Sequence, residues 1–325
     1  MRIILAVLLT SCCAASQAAS TQVSFHEWSV QTPDAFPHDP LATKDGAIWY
    51  TGQHGSVLGR IDSKTGDVKE YPTTIPKSGP HGLTVDAEGN IWFTANYAAY
   101  VGKLDPKTGS ITAFKMPDPE ARDPHTPVFD QHGVLWFTVQ GGNMIGRIDP
   151  HTSEVKLTRV PTEHALPYGI AVNSRGIPFF AEFGTNKIGS IDPNTLAIHE
   201  YVLSAATARP RRIAITQDDA IWYTDYSRGY LGRLDPKSGT NQEWRSPAGA
   251  SAAPYGITVR AGSIWYSESG VTPNTLVHFD PTTQQFQSWP IPSGGGVVRN
   301  MMAAPDGRLV LAESGVGKLA AVDIH

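Results

Sequence analysis

Residues 80–109 read PHGLTVDAEGNIWFTANYAAYVGKLDPKTG, and this stretch decides the fold. Leu83-Thr84-Val85 alternates as an innermost strand, and Ala87-Glu88-Gly89-Asn90 is a turn. Ile91-Trp92-Phe93-Thr94 is a second strand made of β-formers, and Val101-Gly102-Lys103-Leu104 is a third. Asp105-Pro106-Lys107-Thr108-Gly109 puts Pro and Gly where turn geometry favours them, and Ile111-Thr112-Ala113-Phe114 makes an outer strand.

The unit recurs along the chain. Its opening residues are Pro37, Pro80, Pro124, Pro167, Pro210, Pro254 and Val298, in steps of 43 or 44. Its Asp turn returns at Asp62, Asp105, Asp149, Asp192, Asp235, Asp280 and Asp323. A period of about 40–45 residues with several short strands per unit predicts an all-β chain, a seven-bladed β-propeller of four-stranded antiparallel blades. The last repeat stops at Val322-Asp323-Ile324-His325, just before its outer strand, while residues 23–28 read as an outer strand without a blade. The N-terminal strand is therefore expected to complete blade 7 and close the ring, which removes two open edges.

Of 325 residues, 40% are hydrophobic and 17% charged, and the formal charge of −4 argues against a nucleic-acid or anionic-membrane partner. Arg2, the apolar run 3–9 and the small residues through Ala18 and Ala19 read as a secretory signal over residues 1–20. That run is too short for a permanent membrane span. A single domain, 21–325, follows, exported to a periplasm or secreted and expected to act as a monomer. Both cysteines, Cys12 and Cys13, lie in the signal, so the domain has no disulfide, thiol nucleophile or Cys-ligated zinc. Leu9-Thr10-Ser11-Cys12 also resembles a lipoprotein cleavage site, with Cys12 as the lipidated residue.

The repeated Trp49, Trp92, Trp136, Trp222 and Trp265 occupy one strand slot and read as packing between blades, with Phe179 and Val310 in the same slot of blades 4 and 7. Function must lie where the copies differ. The slot after the opening residue reads His38, His81, His125, Tyr168, Arg211, Tyr255 and Arg299. The slot ending the second strand reads Gly52, Ala95, Val139, Glu182, Asp225, Glu268 and Glu313. Antiparallel geometry brings both slots to one end of each blade, so both are expected to ring one mouth of the channel. An imidazole arc would then face an acidic arc, a composition suited to acid–base or metal chemistry on a small molecule.

The run P-(H/Y)-G-(I/L)…IWFT…IGRIDP-x-TG resembles the streptogramin (virginiamycin B) lyase family of seven-bladed propellers, over essentially all of residues 21–325. The resemblance implies Mg-dependent opening of a cyclic depsipeptide ester by elimination, without water. The family keeps its base histidine in the first slot of the last blade, an acid two residues earlier and another acid ending the second strand. A second His precedes and a Tyr follows in the neighbouring blades. In linear register this chain offers Arg299 for the base, Val297 for the preceding acid, Glu313 near the second acid, and Tyr255 and His38 for the neighbours. Rotated to blade 3 the pattern fits better: Asp123-Pro124-His125, with His81 before and Tyr168 after, and Val139 or Gln140 in place of the second acid.

Three functions follow as expectations. In a lyase-like enzyme His125 is the base, His81 and Tyr168 position the carbonyl, and Asp123 with Gln140 orients Mg. In a lactonase-like enzyme Glu182, Asp225, Glu268 and Glu313 hold Ca or Mg. In a non-catalytic propeller the mouth binds a ligand or protein, with His38, Arg211, Tyr255 and Arg299 as binding residues.

Overall fold

The computed structural model describes residues 21–325; the expected signal, Cys12 and Cys13 lie outside the described residues. Seven four-stranded antiparallel sheets form a ring, each joined in simple succession from the axis outward. Blade 1 comprises Pro37–Ala42, Ala47–Gly52, Val57–Asp62 and Val68–Pro72. Blades 2 to 6 repeat it from Pro80, Pro124, Pro167, Pro210 and Pro254. Blade 7 takes Val298–Ala303, Leu309–Glu313 and Lys318–Ile324 from the C-terminus and Val23–Ser29 from the N-terminus, with Val23 opposite Ile324 and Ser29 opposite Lys318. The ring closes as its repeats predict. Among the described residues no helix is long and apolar enough to cross a membrane.

Each repeated residue has a packing reason. The Gly of the third strand lies opposite the second-strand aromatic, as Gly102 does Phe93 and Gly146 does Phe137. A Cβ at Gly102 would lie 2.2 Å from the Phe93 ring, so glycine is what lets the aromatic fill the seam. Trp92 and Trp222 are buried and stack on the outer-strand rings of Phe114 and Trp244, at 5.1 and 5.4 Å. The turn aspartates accept backbone N–H bonds two residues on, as Asp105 does from Lys107 at 2.8 Å, and so shape turns.

The inner strand carries one irregularity, and it builds the mouth. Pro37 pairs with Gly52 and Pro40 with Tyr50, so His38 and Asp39 together oppose Thr51. The same register shift recurs in all seven blades. Such a bulge leaves ladder groups unpaired and re-aims a side chain. The opposing hydroxyl restores the bonds: Thr138 Oγ1 accepts from Thr126 N at 3.1 Å and donates to Tyr168 O of the next blade at 2.7 Å. Thr51, Thr94, Thr224 and Ser267 make the equivalent pair of bonds. Blades 4 and 7 have Ala181 and Ala312 there, and across the seam from blade 7 to blade 1 Ser314 Oγ donates to Pro37 O at 2.7 Å instead.

Two outcomes test this account. Removing residues 21–32 strips blade 7 of its outer strand and of the buried Trp28; a loss of several kcal/mol and a Tm fall of about 10 °C are expected by scanning calorimetry, and an unchanged transition would mean the ring is closed otherwise. Thr138→Val keeps the shape but leaves a buried N–H and carbonyl without a partner, which costs about 2–3 kcal/mol in urea unfolding. A loss below about 0.5 kcal/mol would remove the hydroxyl from this role.

Candidate functional site

The bulges turn the first-slot residues into one contiguous cluster around the axis. Successive ring centroids lie 3.6 Å apart for His38 and His81, 3.7 Å for His81 and His125, and 3.9 Å for His125 and Tyr168. Tyr168 and Tyr255 share a short hydroxyl–hydroxyl bond. The Arg211 guanidinium lies 3.8 Å from the Tyr255 ring centre and 4.9 Å from that of Tyr168. Arg299 Nη1 donates to the Tyr255 hydroxyl at 3.5 Å. All seven first-slot residues thus share one site.

Beneath this layer runs a second one that sequence reasoning missed. The position after the slot reads Asp39, Gly82, Thr126, Gly169, Arg212, Gly256 and Asn300. Glycine serves where the next blade presses close: a Cβ at Gly82 would meet Pro127 at 2.2 Å and the His125 carbonyl at 2.3 Å. Where the copies depart from glycine, polar groups meet across the ring. Arg212 donates to both oxygens of Asp39, at 2.7 and 3.3 Å, and to Thr126 Oγ1 at 3.5 Å. His38 Nδ1 donates to Asp39 at 2.9 Å, and His125 Nδ1 lies 2.9 Å from the Thr126 hydroxyl. A carboxylate only accepts, so His38 carries its proton on Nδ1. Asp39, Thr126 and Arg212 line a cavity of about 140 Å³ together with Asn300 and aliphatic side chains. The departures from glycine were the available signal.

Burial sets the protonation of the cluster. Desolvation, followed by the neighbouring cations Arg212, Arg299 and Arg211, holds the His38 pKa well below the usual imidazole range. His81 and His125 are lowered well below it too, first by burial and next by the adjacent histidine. The three are neutral at pH 7. Asp123 is pushed up to about 7 by burial, and its Oδ1 has no hydrogen-bond partner. Its left-handed φ of 59° is one that Asp tolerates better than most residues.

The second slot behaves differently from expectation. Glu182, Asp225, Glu268 and Glu313 are all buried and bond away from the mouth. Glu182 accepts from Thr185, Asp225 pairs with Arg228 at 2.6 Å, Glu268 accepts from Ser246, Ala248 and Thr275, and Glu313 accepts from Ser293. Each second strand ends at this slot, and the next residue opens the turn beside the mouth. Phe183 and Tyr226 accordingly pack on Arg211, at 4.8 and 4.2 Å, and Gln53 reaches Asn96 at 3.4 Å. The acidic arc is thus four separate seam residues.

The donor atoms of histidine and carboxylate side chains come within 4.8 Å of one another, in a group of three, at His38, Asp39 and His81 among the described residues. Asp39 is already committed to Arg212, and a guanidinium in that place repels a second cation. The four seam acids do not gather, and the side-chain partner of Asp123 is the Asn96 amide. Neither set fits the charged, hard-oxygen shell that Mg favours.

A seven-bladed propeller with a polar, aromatic cluster at one end of its axis is the class of protein that fold and site define. The chain belongs to the virginiamycin B lyase family, whose family model matches residues 13–270. Among solved structures, the selenomethionine-substituted virginiamycin B lyase from Staphylococcus aureus is 24% identical with a TM-score of 0.83, over 93% of this chain and 99% of that one. A streptogramin B lyase is 25% identical with a TM-score of 0.85, over 93% and 98%. A catalytically inactive His-to-Ala variant of the Staphylococcus aureus enzyme with quinupristin matches at 24% and a TM-score of 0.84, over 93% and 99%. No functionally curated protein matches the chain by sequence.

Burial, followed by repulsion from Glu200, lifts Glu182 to about 7 from its ordinary 4.5. A raised folded pKa means that its stabilising contribution is complete below pH 4.5 and is lost as pH rises through about 7. Glu182→Gln removes that loss, so the Tm of the variant relative to the parent is expected to climb between about pH 5 and 8. A flat difference across that range would show a carboxylate ionised throughout.

Proposed function

We propose that this chain is an exported propeller that binds a small molecule at the channel mouth, through the cluster of His38, His81, His125, Tyr168, Arg211, Tyr255 and Arg299. The contiguity of those seven side chains carries the reading. One blade contributes each residue, each is set by the same bulge, and no shared packing task accounts for His, Tyr and Arg in turn. The bonded pair of Asp39 and Arg212 lies directly beneath that cluster, and Arg211 and Arg299 are its half-buried members.

Binding without turnover accounts for the chain's departures from the lyase pattern. Arg299 stands where the family's base is expected, and a guanidinium takes no proton at neutral pH. Metal dependence finds no fitting donor set. A second reading, elimination, is favoured by one observation: His125 is a neutral imidazole, packed between His81 and Tyr168. As base it would take the proton from the carbon beside a carbonyl while the neighbouring C–O bond breaks, releasing a carboxylate and leaving a double bond. The Tyr168 hydroxyl would orient that carbonyl.

Incubation with a streptogramin B, with Mg and with chelator, separates the two. Intact macrocycle by mass spectrometry is the expected result in both conditions. Linear product that disappears in His125→Ala would establish the elimination instead.

A further inference from the structure

The two cations at the mouth have no anion. Arg211 and Arg299 are half-buried, and among the described residues no carboxylate lies within ion-pair distance of either. Asp39 is held by Arg212 and Asp225 by Arg228, and Asp123, which shares Tyr97 as a neighbour with Arg299, is pushed up to about 7 by burial. A guanidinium carries five N–H donors. Arg211 spends Nη2 on the Tyr168 hydroxyl at 3.3 Å, Arg299 spends Nη1 on that of Tyr255, and the Nε of each is buried without a partner. Buried donors left unpaired cost free energy unless something fills them.

The surroundings describe what would fill them. Arg211 and Arg299 are linked through the bonded hydroxyls of Tyr168 and Tyr255, so they address one spot. Aromatic faces surround it. Phe183 and Tyr226 flank Arg211, and Phe36 lies 4.9 Å from the Arg299 guanidinium and stacks on His54. Tyr97, 58% exposed, stands at the rim near both Arg299 and Asp123. The rings pack against each guanidinium while only one Nη of each is spent on a tyrosine hydroxyl, and arginine reads a planar oxyanion with two parallel bonds.

Building on the mouth as the ligand site, we propose that the ligand is a small organic carboxylate with an apolar or aromatic body, its head held by Arg211 and Arg299 and its body lying on Phe36, Phe183, Tyr226 and Tyr97. The macrocycle reading needs no such charge. The mouth selects for one.

Phenylacetate and phenylacetamide share a body and differ in the charge of the head, so the pair isolates the inference. By titration calorimetry at low salt, phenylacetate is expected to bind at least about tenfold more tightly than the amide. Arg299→Gln should abolish that preference and Arg299→Lys should keep part of it. Arg299 carries the test because Arg211 is packed among four rings and its loss threatens folding; an unchanged Tm confirms that the Arg299 variants are intact. Equal affinity for acid and amide, both lost in Tyr97→Ala, would overturn the carboxylate while leaving the mouth as the site. A preference that survives in Arg299→Gln would also overturn it. No binding of either probe up to about 20 mM would overturn the mouth reading as well.

Discussion

In five of the seven blades the mouth depends on a hydroxyl placed opposite a bulge. Bulging the inner strand leaves one N–H and one carbonyl per blade without ladder partners, and buried backbone groups must be paired. Thr51, Thr94, Thr138, Thr224 and Ser267 solve both at once, taking the N–H within the blade and giving their proton to the next blade's carbonyl. The same atom therefore holds the irregular strand and clips one blade to the next. The ring can carry irregular backbone beside its axis because of this, and irregular backbone is what aims the slot residues inward.

From that constraint follows the separation of the acids from the mouth. The strand that supplies the hydroxyl ends one residue later, at Glu182 and its counterparts, which bond into the seams, while Phe183 and Tyr226 in the following turns pack on Arg211. An expectation that stopped one residue short assigned the acids to the mouth. The corrected face is aromatic and cationic, and the bonded pair of Asp39 and Arg212 lies beneath it. A buried ion pair is weak evidence for stability; here Asp39 holds Arg212 and orients His38.

The fold was almost wholly legible, because a blade's pattern is local. Gly102 opposite Phe93, the Asx turn at Asp105 and the Trp92 slot each express a contact between strands joined by a short turn. Closure of blade 7 by residues 23–29 was legible too, as a strand without a blade facing a blade without a strand. The first slot could be read for the same reason, since its variation stands out against a fixed register. Asp39 and Arg212 were missed because glycine fills their slot in three of the seven blades and the two partners lie 173 residues apart in the chain.

The sequence alone determined the architecture, since a repeated local pattern specifies each blade and seven such blades close a ring. It also determined which side chains vary, and hence where chemistry has to be sought. Only the tertiary structure decided which of those side chains meet. Facing across a channel depends on the sense of each bulge and on which neighbour already holds each charge, and neither is a property of any one segment. That is why the acids belong to the seams, why Asp39 belongs to Arg212, and why Arg211 and Arg299 are left with donors to spare.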